Sequence, residues 1–196
     1  MSTIGRVGSF FIDILETVAV ALSLFVVIYA FVAQPHKIDG LSMFPNLHDK
    51  SLILTDKISY RSHPPRRGDV IVFHYPLNPR KDYVKRIIGL PGEKLKIEDN
   101  HIYIYNDSKP EGFILDEPYI PEDFLTLGKQ FLPAGKLISI EEEAYFVMGD
   151  NREGSADSRE FGPIHRKDFI GRAFVVYWPI SEMKKIENPL PQIIQE

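Results

Sequence analysis

Apolar positions are unevenly distributed along the 196-residue chain. One long run occupies residues 10–35, FFIDILETVAVALSLFVVIYAFVAQP, and from Thr17 to Ala33 it carries no charge. At about 1.5 Å of rise per residue, roughly 20 helical residues cross the hydrocarbon core of a bilayer, so the stretch from Ile14 to Ala33 is long enough to span it. The pattern predicts a transmembrane anchor at residues 10–33, preceded by a short segment at residues 1–9.

Two other interpretations fit this run less well. A cleaved signal peptide has a shorter apolar stretch followed by small residues, whereas the distal end here is bulky, with Phe25, Ile28, Tyr29 and Phe31. A buried core helix usually shows a polar stripe, and the interior of this run has only Ser23. A membrane-spanning anchor is therefore favoured.

Downstream of Pro35 the pattern changes to short β segments separated by proline and glycine. Alternating or continuously apolar segments bounded by turn residues predict strands, here in SLILTDKIS, GDVIVFHYP, DYVKRIIG, KLKIEDN, HIYIYN, EEEAYFVM and FIGRAFVVYWP. Residues Glu98 to Asn100 predict a hairpin turn between two of these strands. We expect an all-β domain carried on one N-terminal transmembrane helix.

Two changes of composition subdivide the soluble part. Between Lys109 and Lys136 proline, glycine, acidic and aromatic residues dominate, which predicts an insertion with little regular structure of its own. From Ser181 the chain contains Pro189 and Pro191, and we expect a loosely held tail.

Composition excludes several classes of function. The net charge of −4 provides no broad positive field, so nucleic acid is not expected as a partner. The absence of cysteine excludes thiolate catalysis, cysteine metal sites and disulfides. The six histidines lack the spacing of metal ligands. We expect no metal and no other cofactor.

A serine and a lysine are the candidate reactive residues. Ser42 lies in GLSMFP, in a loop that leaves an extended segment, and Gly40 is expected to let another backbone approach closely. Lys85 lies within YVKRIIGLPGE, where alternation places it on the strand face opposite Arg86. If one sheet face is buried, one of these two cations points inward, and periodicity alone does not say which.

Chemistry favours the lysine as the buried cation. A desolvated ammonium loses its proton, whereas a guanidinium effectively does not. A neutral amine can act as general base for a hydroxyl, as in serine–lysine catalysis. The alternatives are a structural serine and a strand end with both charges reaching solvent.

A third segment, FVMGDNREGSADSREFGPI, is dense in glycine, acids, arginine and serine. Such a composition is typical of a surface turn. Between two apolar strands it could also form a self-satisfied polar network that holds an active site rigid.

Together these segments resemble the type I signal peptidases, membrane-anchored serine proteases that remove signal peptides after export. The resemblance rests on the anchor followed by SMFPNL, RGDVIVF, YVKRIIGLPGE and GDNREGSADSREFG, in that order along most of residues 34–178. It implies an all-β catalytic core of signal-peptidase-like fold at residues 34–93 and 142–180. A β/loop insertion would occupy residues 94–141, and the tail residues 181–196.

The resemblance also implies roles for individual residues. Ser42 would be the nucleophile, Lys85 the general base, and Ser155 the hydroxyl that orients the Lys85 amine. A supporting polar network would comprise Asp150, Arg152, Asp157 and Arg159. The residues implied to bind substrate are Ile38, Asp39, Met43, Leu47, Tyr83 and Val84.

Two positions depart from the pattern of many family members. Gly40 stands where they carry a serine whose hydroxyl helps hold the oxyanion, and losing one such donor costs roughly 3 to 4 kcal/mol in other enzymes. The site would then rely on the Ser42 N–H, with water or a substrate-induced donor. Asn46 stands where threonine is usual, a change that looks tolerable.

The implied function is removal of N-terminal signal peptides from exported preproteins, with Ala-x-Ala preferred before the cut. The expected partners are such preproteins and the lipid bilayer. The expected location is the cell membrane, single-pass, with an extracytoplasmic catalytic domain, although Arg6 before and Lys37 after the anchor favour an inside amino terminus only slightly. The alternative is a catalytically silent relative acting as an assembly or binding factor. Such relatives lose the serine or the lysine, and this chain keeps both.

Overall fold

The computed structural model describes residues 3–190. Helix α1 spans Thr3–Phe31, and its 22 residues from Phe10 to Phe31 are long and apolar enough to cross a membrane. The hydroxyls of Thr17 and Ser23 each donate a hydrogen bond of 2.8 Å to the carbonyl four residues earlier, so these polar groups are satisfied within the helix. The apolar side chains of this segment are exposed.

The body that follows α1 is built almost entirely of strands. Within the described residues the strands are β1 (Ala33–Lys37), β2 (Leu52–Asp56), β3 (Val70–His74), β4 (Asp82–Gly89), β5 (Lys94–Glu98), β6 (His101–Asn106), β7 (Lys109–Ile114), β8 (Leu137–Ser139), β9 (Ala144–Met148), β10 (Ile164–His165), β11 (Phe169–Trp178) and β12 (Lys184–Lys185). The short helices are α2 (Ser59–Ser62) and α3 (Ser158–Phe161), with 3₁₀ turns at Arg166–Asp168 and Ile180–Glu182. The predicted fold class, an all-β domain behind one apolar helix, is confirmed.

The strands form two antiparallel sheets. The larger has the order β1-β2-β11-β3-β4-β9-β10, with β12 also paired to β11. The smaller has the order β7-β6-β5-β8 and lies within residues 94–139. Strand β4 is central in the larger sheet, and its partners β3 and β9 are distant from each other in sequence.

The β5–β6 hairpin turns where the sequence predicts. Asp99 and Asn100 both have positive φ, at 47° and 66°, which suits a tight two-residue turn. The expectation of little regular structure from Lys109 onward is wrong for β7, which pairs with β6. Pro110 and Gly112 obscured this strand, and Pro110 is tolerated because β7 is an edge strand.

Both faces of the central strands are buried. Val70 and Val72 of β3 pack in one apolar cluster, while Ile71 and Phe73 pack in another on the opposite face. Consequently Lys85 and Arg86 on β4 are both only 3% exposed. The expectation that just one of these cations is buried is therefore wrong, because it assumed a sheet with one solvated face.

The tail is ordered further than expected. Strand β12 pairs with β11, and Ile186 and Leu190 are buried. The Asn188 side-chain amide donates hydrogen bonds to the Arg67 carbonyl at 2.7 Å and to Asp69 Oδ1 at 3.1 Å. The expected loose tail is thus wrong for residues 181–190, because apolar side chains between the polar ones anchor it. Pro191 and the rest of residues 191–196 lie outside the described residues.

Candidate active site

The loop that carries Ser42 connects β1 to β2 and is held by backbone hydrogen bonds and by two buried side chains. The Ile38 N–H donates to the Ser51 carbonyl at 2.9 Å and draws the ends of the loop together. Met43 and Leu47 are buried, and the Leu47 N–H donates to the Met43 carbonyl at 2.9 Å. These contacts hold Ser42, itself half-buried, in a defined position.

The Lys85 ammonium reaches Ser42 from strand β4. Its Nζ lies 2.8 Å from Ser42 Oγ and 3.0 Å from the Val84 carbonyl oxygen. The Tyr83 ring centroid is 5.2 Å from the same nitrogen. The nitrogen therefore sits in direct hydrogen-bond contact with the serine hydroxyl.

Burial lowers the pKa of Lys85 from 10.5 to about 8, because a desolvated ammonium is disfavoured. The carboxylates of Asp157 and Asp150 act in the opposite direction, and the Lys129 ammonium acts in the same direction as burial. At a pKa of about 8, roughly one amine in eleven is neutral at pH 7, compared with about three in ten thousand at 10.5. A useful fraction of Lys85 is thus available as a base near neutral pH.

Ser155 lies beside this pair. A Cβ built on Gly149 would collide with both the Ser155 hydroxyl and the Ser42 carbonyl, so the three residues are in close contact. Ser155 Oγ is buried and, among residues 3–190, has no hydrogen-bond partner. The structure brings Ser155 to the site, but it shows no hydrogen bond from Ser155 to Lys85.

Asp157 and Arg159 form a fully buried ion pair next to Ser155. The Arg159 guanidinium donates to Asp157 at 2.9 Å from Nε and 2.8 Å from Nη2, and the Gly149 N–H donates to the same carboxylate at 3.2 Å. Burial alone would raise the pKa of Asp157, but Arg159 and the other hydrogen bonds outweigh it and lower that pKa. The Ser155 hydroxyl also favours the ionised carboxylate, although its placement falls outside hydrogen-bond geometry. Asp157 is therefore an anion at working pH.

Asp150 pairs with Arg86, which the sequence did not single out as a site residue. Nε and Nη2 of Arg86 donate to the Asp150 carboxylate, and Nη1 donates to the Gly68 carbonyl at 2.9 Å. The Asn46 amide donates to Asp150 at 3.0 Å and to the Tyr119 carbonyl at 3.0 Å. Asn46 thereby ties the serine loop to the Asp150 carboxylate and to the insertion.

Arg152 also has a partner that sequence reasoning missed. Both of its terminal nitrogens donate to the Glu117 carboxylate, and Nη1 donates to Thr126 Oγ1 at 2.8 Å. Glu117 and Thr126 belong to the insertion. The four predicted network residues are all buried, but Asp150 and Arg152 each bond outside the group.

Asn151 was also missed, and it holds the serine loop directly. Its N–H donates to the Ser42 carbonyl at 3.1 Å, and its side-chain amide donates to the Leu41 carbonyl at 3.1 Å. Its side-chain oxygen Oδ1 accepts a hydrogen bond from the Gly154 N–H at 3.0 Å. Asparagine is common in turns, so the sequence contained no signal that this one bridges two segments 110 positions apart.

The residues predicted to bind substrate are distributed over two faces of the sheet. Ile38, Met43, Leu47 and Val84 share one apolar cluster. Tyr83 lies on the opposite face of β4, where its ring stacks on Tyr75 at 4.3 Å between centroids. Asp39 is exposed and paired with Lys50. The structure therefore does not gather these six side chains into one pocket.

Gly40 is required by its backbone conformation. Its φ is +107°, and a Cβ built there would meet nothing within 4 Å. The expected close approach of another backbone is wrong, and the positive φ accounts for the glycine instead. Its N–H donates to Asp49 Oδ1 at 2.7 Å.

The geometry suits nucleophilic catalysis by a hydroxyl with an amine base. A buried amine with a lowered pKa contacts a serine oxygen, and bidentate ion pairs hold the surrounding loops. Among residues 3–190 there is no cluster of three histidine or acidic side chains that could hold a metal. An antiparallel β body and this serine–lysine pair, behind a helix long and apolar enough to cross a membrane, are the features of the serine–lysine peptidases.

Comparison with known proteins gives the family. Residues 11–178 match the family described as signal peptidase, peptidase S26. Signal peptidase I of Leptolyngbya laminosa is 35% identical over 184 residues, covering 89% of this chain and 83% of that protein. Signal peptidase IB of Staphylococcus aureus is 36% identical over 184 residues, covering 88% of this chain and 92% of that protein.

A solved structure of signal peptidase I from Enterococcus faecalis V583 is 30% identical, with a TM-score of 0.45, and covers 56% of this chain and 97% of that one. The chain belongs to the signal peptidase family, peptidase S26. It is a serine endopeptidase of the serine–lysine type that removes signal peptides from preproteins. Nothing in these relationships favours a catalytically silent binding factor.

Proposed function

We propose that Ser42 is the nucleophile of this signal peptidase and Lys85 its general base. The observation that carries the proposal is the 2.8 Å contact between Lys85 Nζ and Ser42 Oγ in a buried setting. Neutral Lys85 takes the Ser42 proton as the oxygen attacks the scissile carbonyl, and the resulting ammonium protonates the leaving amine. Water then cleaves the acyl-enzyme, with Lys85 again acting as base.

Ser155 is proposed to orient the amine of the general base, Lys85. Its hydroxyl is buried beside Ser42 and Asp157 without a hydrogen-bond partner among residues 3–190, which supports a role in orienting the Lys85 amine once the ammonium gives up a proton. The Ser42 N–H would hold the oxyanion, because Gly40 supplies no hydroxyl.

We propose that the substrate binds as an extended strand at β4. Strand β9 pairs only with residues 86–89 of β4, so within the described residues the edge at 82–84 has no strand partner on that side. An added strand would hydrogen-bond there, and its alternate side chains would point to the same side. Ile38, Met43 and Leu47 belong to one apolar cluster under the Ser42 loop, and we propose that small residues occupy the first and third positions before the cut, as the family resemblance implies.

Helix α1 is proposed to anchor the enzyme in the cell membrane as a single span, with the β body outside the cytoplasm. Its exposed apolar side chains and 22-residue length support insertion into lipid. Protease added to intact spheroplasts should digest the β body, and complete protection until lysis would reverse the orientation.

The central test uses the full-length enzyme in detergent with one preprotein. Ser42→Ala and Lys85→Met should abolish cleavage while thermal unfolding stays cooperative. Ser62→Ala and Lys167→Met change exposed residues away from the site and should cleave normally. Undiminished cleavage by Ser42→Ala or Lys85→Met would remove that residue from the mechanism.

A further inference from the structure

A short segment of the insertion, residues 127–132, contacts the segment that carries Ser155 and Arg159. The Arg159 guanidinium donates to the Leu127 carbonyl at 3.0 Å, and the N–H groups of Phe131 and Leu132 donate to the Arg159 carbonyl at 2.9 and 3.1 Å. The Lys129 N–H donates to the Leu132 carbonyl at 2.9 Å and closes the turn between them. The backbone of Lys129 is thus fixed relative to Arg159.

The Lys129 side chain extends from this turn to Ser155. Its Nζ donates to the Ser155 carbonyl at 2.5 Å, and the side chain is 26% exposed. The Glu160 carboxylate lies 3.8 Å from the same nitrogen but is half exposed, so it neutralises the ammonium only in part. A second cation therefore stands beside the Ser42, Lys85 and Ser155 group.

We propose that Lys129 is a positioning residue of the peptidase reaction, acting through Ser155 and Lys85. This inference rests on the proposed roles of Ser42 and Lys85. Through the Ser155 carbonyl, Lys129 holds the segment that carries the unpartnered Ser155 hydroxyl. Through its charge, it favours the neutral amine of Lys85 over the ammonium, because two nearby cations repel.

The direction of this electrostatic effect follows from the groups around Lys85. Asp157 and Asp150 raise the pKa of Lys85, while burial and Lys129 lower it. The Lys85 nitrogen also faces the Tyr83 ring, which favours the cation. Lys129 is thus the charged side chain that works with burial and against the two carboxylates. Lys129 belongs to the insertion, so the insertion helps to lower the pKa of Lys85.

The experiment measures kcat/KM against pH from about 6 to 10.5 with the full-length enzyme in detergent. Lys129→Met should move the acid limb to higher pH by about 0.3 to 0.7 units, the size expected for one partly exposed charge. Well below the midpoint this is about a two- to fivefold loss of kcat/KM. Lys129→Arg keeps the cation and should keep the wild-type midpoint. Lys94→Met is the matched control, since Lys94 is an exposed lysine of the same insertion on β5, and its profile should match wild type.

Glu160→Gln provides a second measurement if Lys129→Met folds poorly. Removing the carboxylate beside Lys129 should move the midpoint to lower pH, opposite to Lys129→Met. Unchanged midpoints in Lys129→Met and Glu160→Gln, or shifts of the same sign, would overturn the role of Lys129. If Ser42→Ala and Lys85→Met are inactive while Lys129→Met matches wild type, only this inference fails. If the dyad variants stay active, the proposed catalytic roles fail as well.

Discussion

Arg86 holds Asp150 with two parallel hydrogen bonds, 2.8 Å from Nε to Oδ1 and 2.7 Å from Nη2 to Oδ2, and neither side chain is more than 3% exposed. Arg86 follows Lys85 on β4, so neighbouring residues of one strand serve different purposes on its two faces. One contacts the serine, and the other fixes the start of the loop that contains Ser155.

This ion pair should matter for stability. Arg86→Met should reduce the free energy of unfolding by about 3 to 5 kcal/mol, because it leaves a buried carboxylate without its cation. Adding Asp150→Leu should recover part of that loss. Denaturant unfolding followed by near-UV circular dichroism would measure both, and a loss below about 1 kcal/mol for Arg86→Met would contradict the prediction.

The pH dependence of catalysis should follow Lys85. Since the neutral amine is the active form and its pKa is about 8, kcat/KM should rise with pH and level off above about 9. Lys85→Arg should be inactive at every pH, because guanidinium cannot accept the Ser42 proton. Substantial turnover by Lys85→Arg would show that the site needs charge rather than basicity.

Lys85 should also destabilise the fold at neutral pH. Its pKa is lower in the folded state than in the unfolded chain, so the unfolded chain binds more protons between about pH 8 and 10.5, and stability rises with pH across that window. Lys85→Met should therefore be more stable than wild type by about 3 kcal/mol at pH 7, with the difference shrinking toward pH 10.5. Unfolding of the two proteins at both pH values provides the comparison, and equal stability at pH 7 would count against a desolvated amine.

Gly149→Ala should impair catalysis more than folding. The added methyl group would overlap the Ser155 hydroxyl oxygen and the Ser42 carbonyl oxygen, so these groups must move by about an ångström. Displacements of this size at a reacting group can cost roughly 100-fold in rate. Parallel assays of kcat and thermal unfolding would test this, and a fully active variant would show that the two serines tolerate movement.

Substrate selection should follow the proposed preference for small residues before the cut. Preproteins with alanine at the first and third positions before the cut should be cleaved well, and phenylalanine at the first position should reduce kcat/KM at least tenfold. The second position, whose side chain points the other way, should tolerate larger residues. Equal cleavage of alanine and phenylalanine substrates would contradict the proposed preference.

Much of the fold was predictable because it depends on local pattern. The apolar run, the alternating segments and the Asp99–Asn100 turn each carry their signal within a few residues. Strand β7 was missed because Pro110 and Gly112 are poor strand formers that an edge position accommodates. Burial of both sheet faces could not be predicted, since the alternation of one strand does not reveal what packs on its far side.

Sequence motifs indicated candidate residues of the site but not how these residues pair. Ser42, Lys85, Ser155 and the acidic and arginine side chains all come from short motifs. The partners of Asp150 and Arg152 lie 64 and 35 positions away, at Arg86 and Glu117. Which arginine meets which acid depends on how two sheets and a long loop come together, and charge alone does not distinguish among the candidates.

The junction between α1 and the β body is very short. Helix α1 ends at Phe31, strand β1 begins at Ala33, and the Lys57 ammonium reaches back to Gln34 at 3.2 Å. A long flexible linker would allow the distance between the β body and a bilayer to vary widely. A one-residue connection restricts that distance. With α1 in the membrane as proposed, we expect the height of Ser42 above the bilayer to help determine which bond of a preprotein is cut.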